Sequence, residues 1–390
     1  MRIGLDVSQT GDFKTGCGYF ADSLVRHLVA IDRTNSYILY PTFGPGYWDP
    51  RWATNTLDLT DQPRVQRGLG HHRLDQLEGF WLDPPADLEA QLGSPDIIHS
   101  NNFYCPTGLK TARLVYTLHD LVFASHPEWT TEANWRNCFD GVFNASVYAD
   151  RIVAVSAYTR AQFLSTFPHY PPHRINVVYE ASRFDKPHNG PPPRSVAHLA
   201  AQQFWLAGGS TEPRKNLTRL LEAFARLTAA GETRHPLVLF GGTGPQHDDL
   251  ELTINRLGLA NHVHRLGYVD DTALRWLYEH CLAFCYPSLY EGFGLPVVEA
   301  LSLGAAVLTS NATSLPEVVG DVGILVDPFD VDAISAGLRT LASDASTLAG
   351  LRSRARGQAS RFSWQRAATQ IDDMYREVVA QPSPASERKR

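Results

Sequence analysis

What most constrains this chain is a rhythm that runs through it twice. Short apolar runs of strand length alternate with longer stretches whose apolar residues fall at helical spacing. The first series holds "RIGLDV", "YFADSLVRHLVAI", "PDIIHS", "RLVYTLHD" and "RIVAVS", and closes with "RINVVYE". Strands that alternate with helices read as a largely parallel sheet covered on both faces. Residues 182–198, "SRFDKPHNGPPPRSVAH", interrupt the rhythm with four prolines and a glycine, the composition of a linker. The second series then starts afresh with "FWLAGG", "NLTRLLEAFARLTAA", "PLVLFGG", "DDLELTINRLG", "HVHRLGYV", "TALRWLYEHC" and "LAFCYPS", and ends on "PVVEALSLG", "AVLTS" and "GILVDP".

The expected fold class is therefore α/β, with two doubly wound domains. The first is expected over residues 1–184, a linker over 185–198, the second domain over 199–364, an amphipathic terminal helix over 365–380 and a frayed tail over 381–390. Residues 41–93, rich in Gly, Pro, Trp and Asp with poor periodicity, receive no assignment. With 43% hydrophobic residues the chain can bury two cores. A formal net charge of −6 with no long single-sign run speaks against a nucleic-acid partner. The one basic cluster, the terminal "ERKR", is a solvated tail or at most a weak peripheral contact with an anionic membrane.

Five scattered cysteines make no disulfide framework, and Cys281 and Cys285 lack the spacing of a zinc site. No apolar run approaches membrane-spanning length and the N-terminus does not read as a signal peptide, so a cytoplasmic location is expected. "GGTGP" at 241–245 lacks the spacing of a dinucleotide fingerprint. The Asp-Asp pairs at 248–249, 270–271 and 372–373 read as helix starts or helix surfaces, and His262 with His264 supplies too few ligands for zinc.

Open parallel sheets bind ligands beyond the carboxyl ends of their strands. Residues 288–300, "SLYEGFGLPVVEA", follow such a strand. Gly292 and Gly294, flanking Phe293, allow a sharp turn and close approach of a ligand to the backbone. Pro296 suits the first turn of a helix starting near Leu295, whose unpaired amides make an anion site. Glu291 is expected in the loop before that helix and Glu299 in its first turn. The pattern suits a nucleotide-sugar, with the diphosphate on the helix terminus and carboxylates accepting from sugar hydroxyls. On residue types alone, a helix-dipole role for Glu299 and a solvated Glu291 stand equally open.

"PSLYEGFGLPVVEALSLGAAVLTS" resembles the EX7E signature of family 4 glycosyltransferases, retaining enzymes of the GT-B fold. "STEPRKNLTRLLEAF", "VDDTALRWLYEHCLAFCYPS" and "SLPEVVGDVGILVDP" resemble further segments of that family, and "GCGYFADSLVRHL", "YTLHDLVF" and "VAVSAYTR" match it more thinly. The resemblance implies two facing Rossmann-like domains, acceptor side first and donor side second, with a cleft between them and a terminal helix that returns to the first.

It further implies that Glu299 holds the donor ribose, that Glu291 contacts the transferred sugar, and that Lys215 with Arg214 neutralises the leaving diphosphate. Gly294 and Leu295 would offer amides to the same phosphates, and base contacts would fall near Tyr268 and Val269. His119 would contact the donor sugar. Gly16 and Gly18, expected in a flexible loop after the first strand, join Asn101, Asp120 and Ser156 as acceptor or cleft candidates, with a helix N-cap the equal reading for Ser156. The family usually carries an arginine six residues before the lysine; here that position is Gly209. No cofactor or divalent metal is expected, since Lys215 and the helix terminus supply positive charge. GDP-mannose is the first donor expectation, with UDP- or dTDP-sugars behind it, and a saccharide or lipid-linked acceptor. A sugar-nucleotide epimerase, a phosphorylase and a non-catalytic sugar-nucleotide-binding subunit are the rivals.

Overall fold

A computed structural model describes residues 1–12, 14–45, 55–70, 73–184, 190–242 and 247–381. The chain divides into two compact units: Met1–Glu180 together with the segment from Ser363, and Ala181–Phe362.

The first unit is built on a seven-stranded sheet, ordered β3-β2-β1-β4-β5-β6-β7 and parallel throughout. Its strands are β1 Arg2–Asp6, β2 Ser36–Tyr40, β3 Val65–Arg67, β4 Ile97–Ser100, β5 Arg113–Leu118, β6 Arg151–Ala154 and β7 Ile175–Val177. β5 and β6 are buried at every position, which is why they read as continuous apolar runs without alternation. β2, whose SYILY is an apolar run like its neighbours, joins the strands expected from the sequence as a further one, whereas β3 was not legible. β3 is a three-residue edge strand with only Val65 buried, too short to impose a period.

The 41–93 stretch supplies core material: Trp81 is buried against Phe43 with ring centroids 4.9 Å apart, and the Tyr40 hydroxyl donates to the Leu92 carbonyl at 2.8 Å. The terminal helix, Trp364–Ala380, buries Trp364, Ile371, Met374, Tyr375 and Val378. Trp364 meets Phe20 of the first helix, Gly16–Ile31, edge to face at 5.7 Å.

The second unit carries a six-stranded parallel sheet ordered β10-β9-β8-β11-β12-β13. These strands are β8 Trp205–Gly208, β9 Leu237–Phe240, β10 Val263–Gly267, β11 Phe284–Tyr286, β12 Val307–Ser310 and β13 Ile324–Val326. Residues 181–184, expected in the first domain, pack with this unit instead. Ser182 Oγ lies 2.8 Å from Ser302 Oγ, and Ser302 Oγ donates to the Phe184 carbonyl at 3.2 Å. Part of the expected linker (185–189), part of "GGTGP" (243–245) and most of the tail (382–390) lie outside the described residues.

In each sheet the winding direction reverses once, between β1 and β4 in the first and between β8 and β11 in the second. The carboxyl ends of those strand pairs are where an open α/β sheet accepts a ligand.

Candidate active site

In the second unit, β8 ends at Gly208 and leads into the short 3-10 turn Pro213–Lys215. Asn216 follows in the left-handed conformation, φ +59, and its amide donates to the Pro287 and Pro328 carbonyls at 2.9 and 2.7 Å. That anchor fixes Lys215, which is buried. Its Nζ donates to Glu291 Oε1 at 2.7 Å and to the Tyr286 hydroxyl at 2.5 Å. Arg214 Nη1 donates to Glu291 Oε2 at 2.8 Å, and Arg214 Nε to Glu212 at 2.6 Å. Ser288 and Tyr286 hydroxyls complete the shell of Glu291 Oε1 at 2.6 and 2.8 Å.

The electrostatics follow from this packing. Burial opposes ionisation of Glu291, but the Lys215 and Arg214 cations and the Lys215 and Ser288 hydrogen bonds outweigh it, holding the carboxyl at about 2. Burial and the neighbouring Arg214 depress Lys215, against the pull of Glu291 and Glu212. Burial and Glu291 drive the Tyr286 phenol far up, so it remains a donor. The result is a positive pair and a negative centre in low dielectric, where a charged ligand is felt strongly.

The Glu291 loop is clamped from the segment after β12. Glu291 N–H donates to Thr313 Oγ1 at 3.2 Å, and Ser314 Oγ donates to the Glu291 and Phe293 carbonyls at 2.9 and 2.7 Å. Gly294 caps the helix Leu295–Ser302 at φ +119, and a Cβ there would stand 2.8 Å from Leu315 Cδ2. Phe293 is buried edge-on to Phe362 at 5.5 Å, while Gly292 is half-buried. Glu299 lies in the second turn of this helix, one turn later than expected. It is too far along to be explained by the helix dipole, which acts over the first turn. It is buried and faces Arg183, whose Nε is 3.2 Å from Glu299 Oε1.

Gly209, where the family pattern implies arginine, has φ +118, and a Cβ there would stand 3.5 Å from the Lys215 stem. The backbone geometry here disfavours any side chain, and Arg214 spends its guanidinium on Glu291 and Glu212. Tyr268 is exposed and Val269 half-buried, just past the carboxyl end of edge strand β10.

In the first unit the reversal point carries a second polar cluster. His119, directly after β5, is buried. Its Nε2 meets the Asn101 carbonyl at 2.9 Å, and its Nδ1 lies 3.8 Å from Glu180. Asn101 also binds β1, with its amide N–H to Asp6 Oδ2 at 3.2 Å and its Nδ2 to the Asp6 carbonyl at 3.0 Å. Burial disfavours the imidazolium of His119, yet Cys17 and Glu180 beside it more than reverse this, and it titrates well above the usual histidine range. Burial lifts Asp6 to about 6 against the bonds from Ser8 and Asn101.

The remaining candidates have local tasks. Ser156 is the N-cap of Ala157–Thr166, accepting from Thr159 N at 3.0 Å. Asp120 accepts from Val122 N at 3.1 Å. Gly16 and Gly18 are not in a loop: both lie in the first turn of the Gly16–Ile31 helix, and a Cβ on Gly18 would stand 2.1 Å from the Gln9 carbonyl oxygen. Asp270 caps Asp271–His280 and Asp372 accepts from Asn35 at 3.1 Å, while the side chains of 248–249 lie outside the described residues. His262 and His264 are exposed on and beside β10. Among the described residues no three His, Cys, Asp or Glu side chains gather as a metal site, and no helix is long and apolar enough to cross a membrane.

Sequence reasoning missed Arg183, Tyr286, Thr313, Ser314, Asp6 and Glu180. Only Asp6 and Glu180 carried a legible signal, as carboxylates closing predicted strands.

Two doubly wound parallel-sheet units, with charged clusters at the reversal point of each, define the class: an α/β protein of the GT-B type. A sucrose-phosphate synthase from Thermosynechococcus elongatus shares this fold with a TM-score of 0.76 at 19% identity, over 97% of this chain and 99% of that one. Anabaena Alr3699/HepE, solved in complex with UDP-glucose, shares it with a TM-score of 0.73 at 21% identity, over 97% and 100%. The family follows from sequence. The model of glycosyl transferases group 1 matches residues 197–358, and that of Glycosyltransferase Family 4 matches 15–181. The O-antigen chain mannosyltransferase B of Escherichia coli is 38% identical over 284 residues, 72% of this chain and 74% of that protein. The serotype-specific mannosyltransferase WbdA of E. coli is 37% identical over 168 residues, 43% of this chain but only 21% of that longer protein. The chain belongs to the group 1, family 4 glycosyltransferases.

Proposed function

We propose that this glycosyltransferase moves mannose from GDP-mannose to a hydroxyl of a saccharide or lipid-linked saccharide, with retention at the anomeric carbon and without a metal ion. One observation carries the reading. Lys215 and Glu291, 76 positions apart, meet at 2.7 Å where β8 and β11 end, beside the amides that open Leu295–Ser302. A diphosphate arriving there competes with Glu291 for Lys215 and Arg214 and takes the amides of Gly294 and Leu295. Those groups stabilise the charge that grows on the phosphate as the glycosidic bond breaks. Glu291, released toward the sugar, offsets the positive charge at the reacting carbon, and Glu299 accepts from the ribose hydroxyls.

The acceptor oxygen attacks the anomeric carbon from the face the nucleoside diphosphate leaves. That diphosphate takes the acceptor's proton, so no protein nucleophile is required. His119 is assigned to sugar recognition, and Tyr268 and Val269 to the base, from the family resemblance. The mannose preference is supported by the mannosyltransferase relatives. The UDP-glucose bound to Alr3699/HepE supports UDP-sugars as the second reading.

Purified protein is to be incubated with GDP-mannose, UDP-glucose or a dTDP-sugar, with and without mannose oligosaccharides and EDTA. The expected outcome is acceptor-dependent GDP release that EDTA does not abolish, and an α-linked product by NMR. A β-linked product overturns retention. Conversion of the donor in the absence of acceptor, with no transfer, identifies an epimerase instead.

A further inference from the structure

Glu299 is the one charged residue in a run of five, Val297–Leu301, that is buried all round the helix. Helix Leu295–Ser302 has no basic residue of its own to compensate the carboxylate. A buried carboxylate without a cation is costly, so the compensating charge has to come from elsewhere in the chain. It comes from Arg183, just past the boundary of the first unit. Arg183 Nε lies 3.2 Å from Glu299 Oε1, and its side chain is 16% exposed.

Arg183 is in turn held. Its Nη2 lies 3.5 Å from Asp271 Oδ1, and its guanidinium sits over the Phe184 ring at 4.9 Å, a ring that also takes Arg275 at 5.2 Å. A planar guanidinium stacks on a ring and pairs with a carboxylate at once. A carboxylate offers about four acceptor positions, so with the Arg183 cation and the Tyr278 hydroxyl beside it Glu299 is oriented and keeps capacity for a diol.

We infer that Arg183 is the positioning residue for Glu299 and, through it, sets the discrimination between a ribose and a deoxyribose nucleotide. The inference rests on the proposed role of Glu299 toward the donor ribose. Arg183 does not touch the reacting atoms. Its effect belongs in nucleotide recognition, with transfer from saturating donor little changed.

The test compares binding of GDP with 2′-deoxy-GDP, and of UDP with 2′-deoxy-UDP, by calorimetry. It uses the full chain as wild type, Arg183→Ala, Arg183→Met and Arg183→Lys. A hydrogen bond to a charged acceptor predicts that the wild type prefers its ribonucleotide by about tenfold or more. Removal of Arg183 is expected to cut that preference to about threefold or less, and Arg183→Lys to restore part of it. Arg183→Met keeps the apolar stem against Phe184, so it remains readable if Arg183→Ala unfolds. If the folded Met or Ala variant keeps the full wild-type preference, the inference is overturned. If the wild type shows no preference, the role of Glu299 fails first and Arg183 falls with it.

Discussion

At the residue scale the site is governed by one buried carboxylate with two cations. Because Glu291 titrates at about 2 in the folded protein, below its ordinary 4.5, its contribution to stability is fully present above pH 4.5 and is lost as pH falls toward 2. The difference is worth on the order of 3 kcal/mol. Chemical denaturation followed between pH 6 and 2.5 is expected to show this acid-side loss in the wild type and to lack that component in Glu291→Gln. The Gln variant is expected to be less stable at pH 7, since Lys215 then stays buried without its full counter-charge. Lys215→Met is the direct probe of chemistry, because Arg214, Tyr286 and Ser288 still bond the Glu291 carboxylate. Its transfer rate is expected to fall by about a hundredfold or more, with a lowered melting temperature as well, since Lys215 is the foremost cation holding Glu291 ionised. Near-normal turnover in the Met variant removes Lys215 from the leaving-group role.

At the element scale, what positions chemistry is the junction of β11 with its following helix. Gly294 was legible as a turn glycine, and the structure adds why no other residue serves: φ is +119 and Leu315 stands where a Cβ would go. Gly294→Ala is expected to cost roughly 1–3 kcal/mol in denaturant unfolding, from strain at a position that L side chains avoid. It is also expected to lower kcat further by displacing the Leu295 amide. The partner clamp was not legible. Thr313 takes φ +57, an outlying conformation for a β-branched residue, to put its hydroxyl under the Glu291 amide. Nothing in "SNATSLPEV" announces that strain, because it is imposed by a loop more than twenty residues earlier. The glycines at 16 and 18 mislead for the opposite reason: both lie within the helix, and Gly18 is needed for the close approach of the Gln9 carbonyl to it.

At the scale of the whole molecule, the chain crosses from one unit to the other twice. The terminal helix returns to the sheet with which the chain began. It covers the first helix, and Tyr375 hydrogen-bonds His99 Nδ1 at 2.5 Å. Burial of Trp364, Ile371, Met374, Tyr375 and Val378 at about 1.5–3 kcal/mol each is comparable to the entire stability of a typical domain. A chain ended at Phe362 is therefore expected to lose the protection of amides in β1 and β4 from hydrogen exchange, while those in β8 and β11 stay protected. Equal loss in both sheets would contradict the assignment of this helix to the first unit. The helix itself was legible from its amphipathic period, but the unit it covers is decided by burial at the first helix.

The sequence alone determined what depends on neighbours within a few positions. It carried two runs of alternating strand and helix, a loop with the glycines and proline that open a helix, and a family pattern dense enough to name the chemistry. The tertiary structure decided what depends on strand order. The reversal at β8 and β11 brings Lys215 to Glu291, and the return of the chain at Ala181 brings Arg183 to Glu299. Such pairs have no local signature, since a buried charge selects its partner by position in space and by the desolvation both must offset.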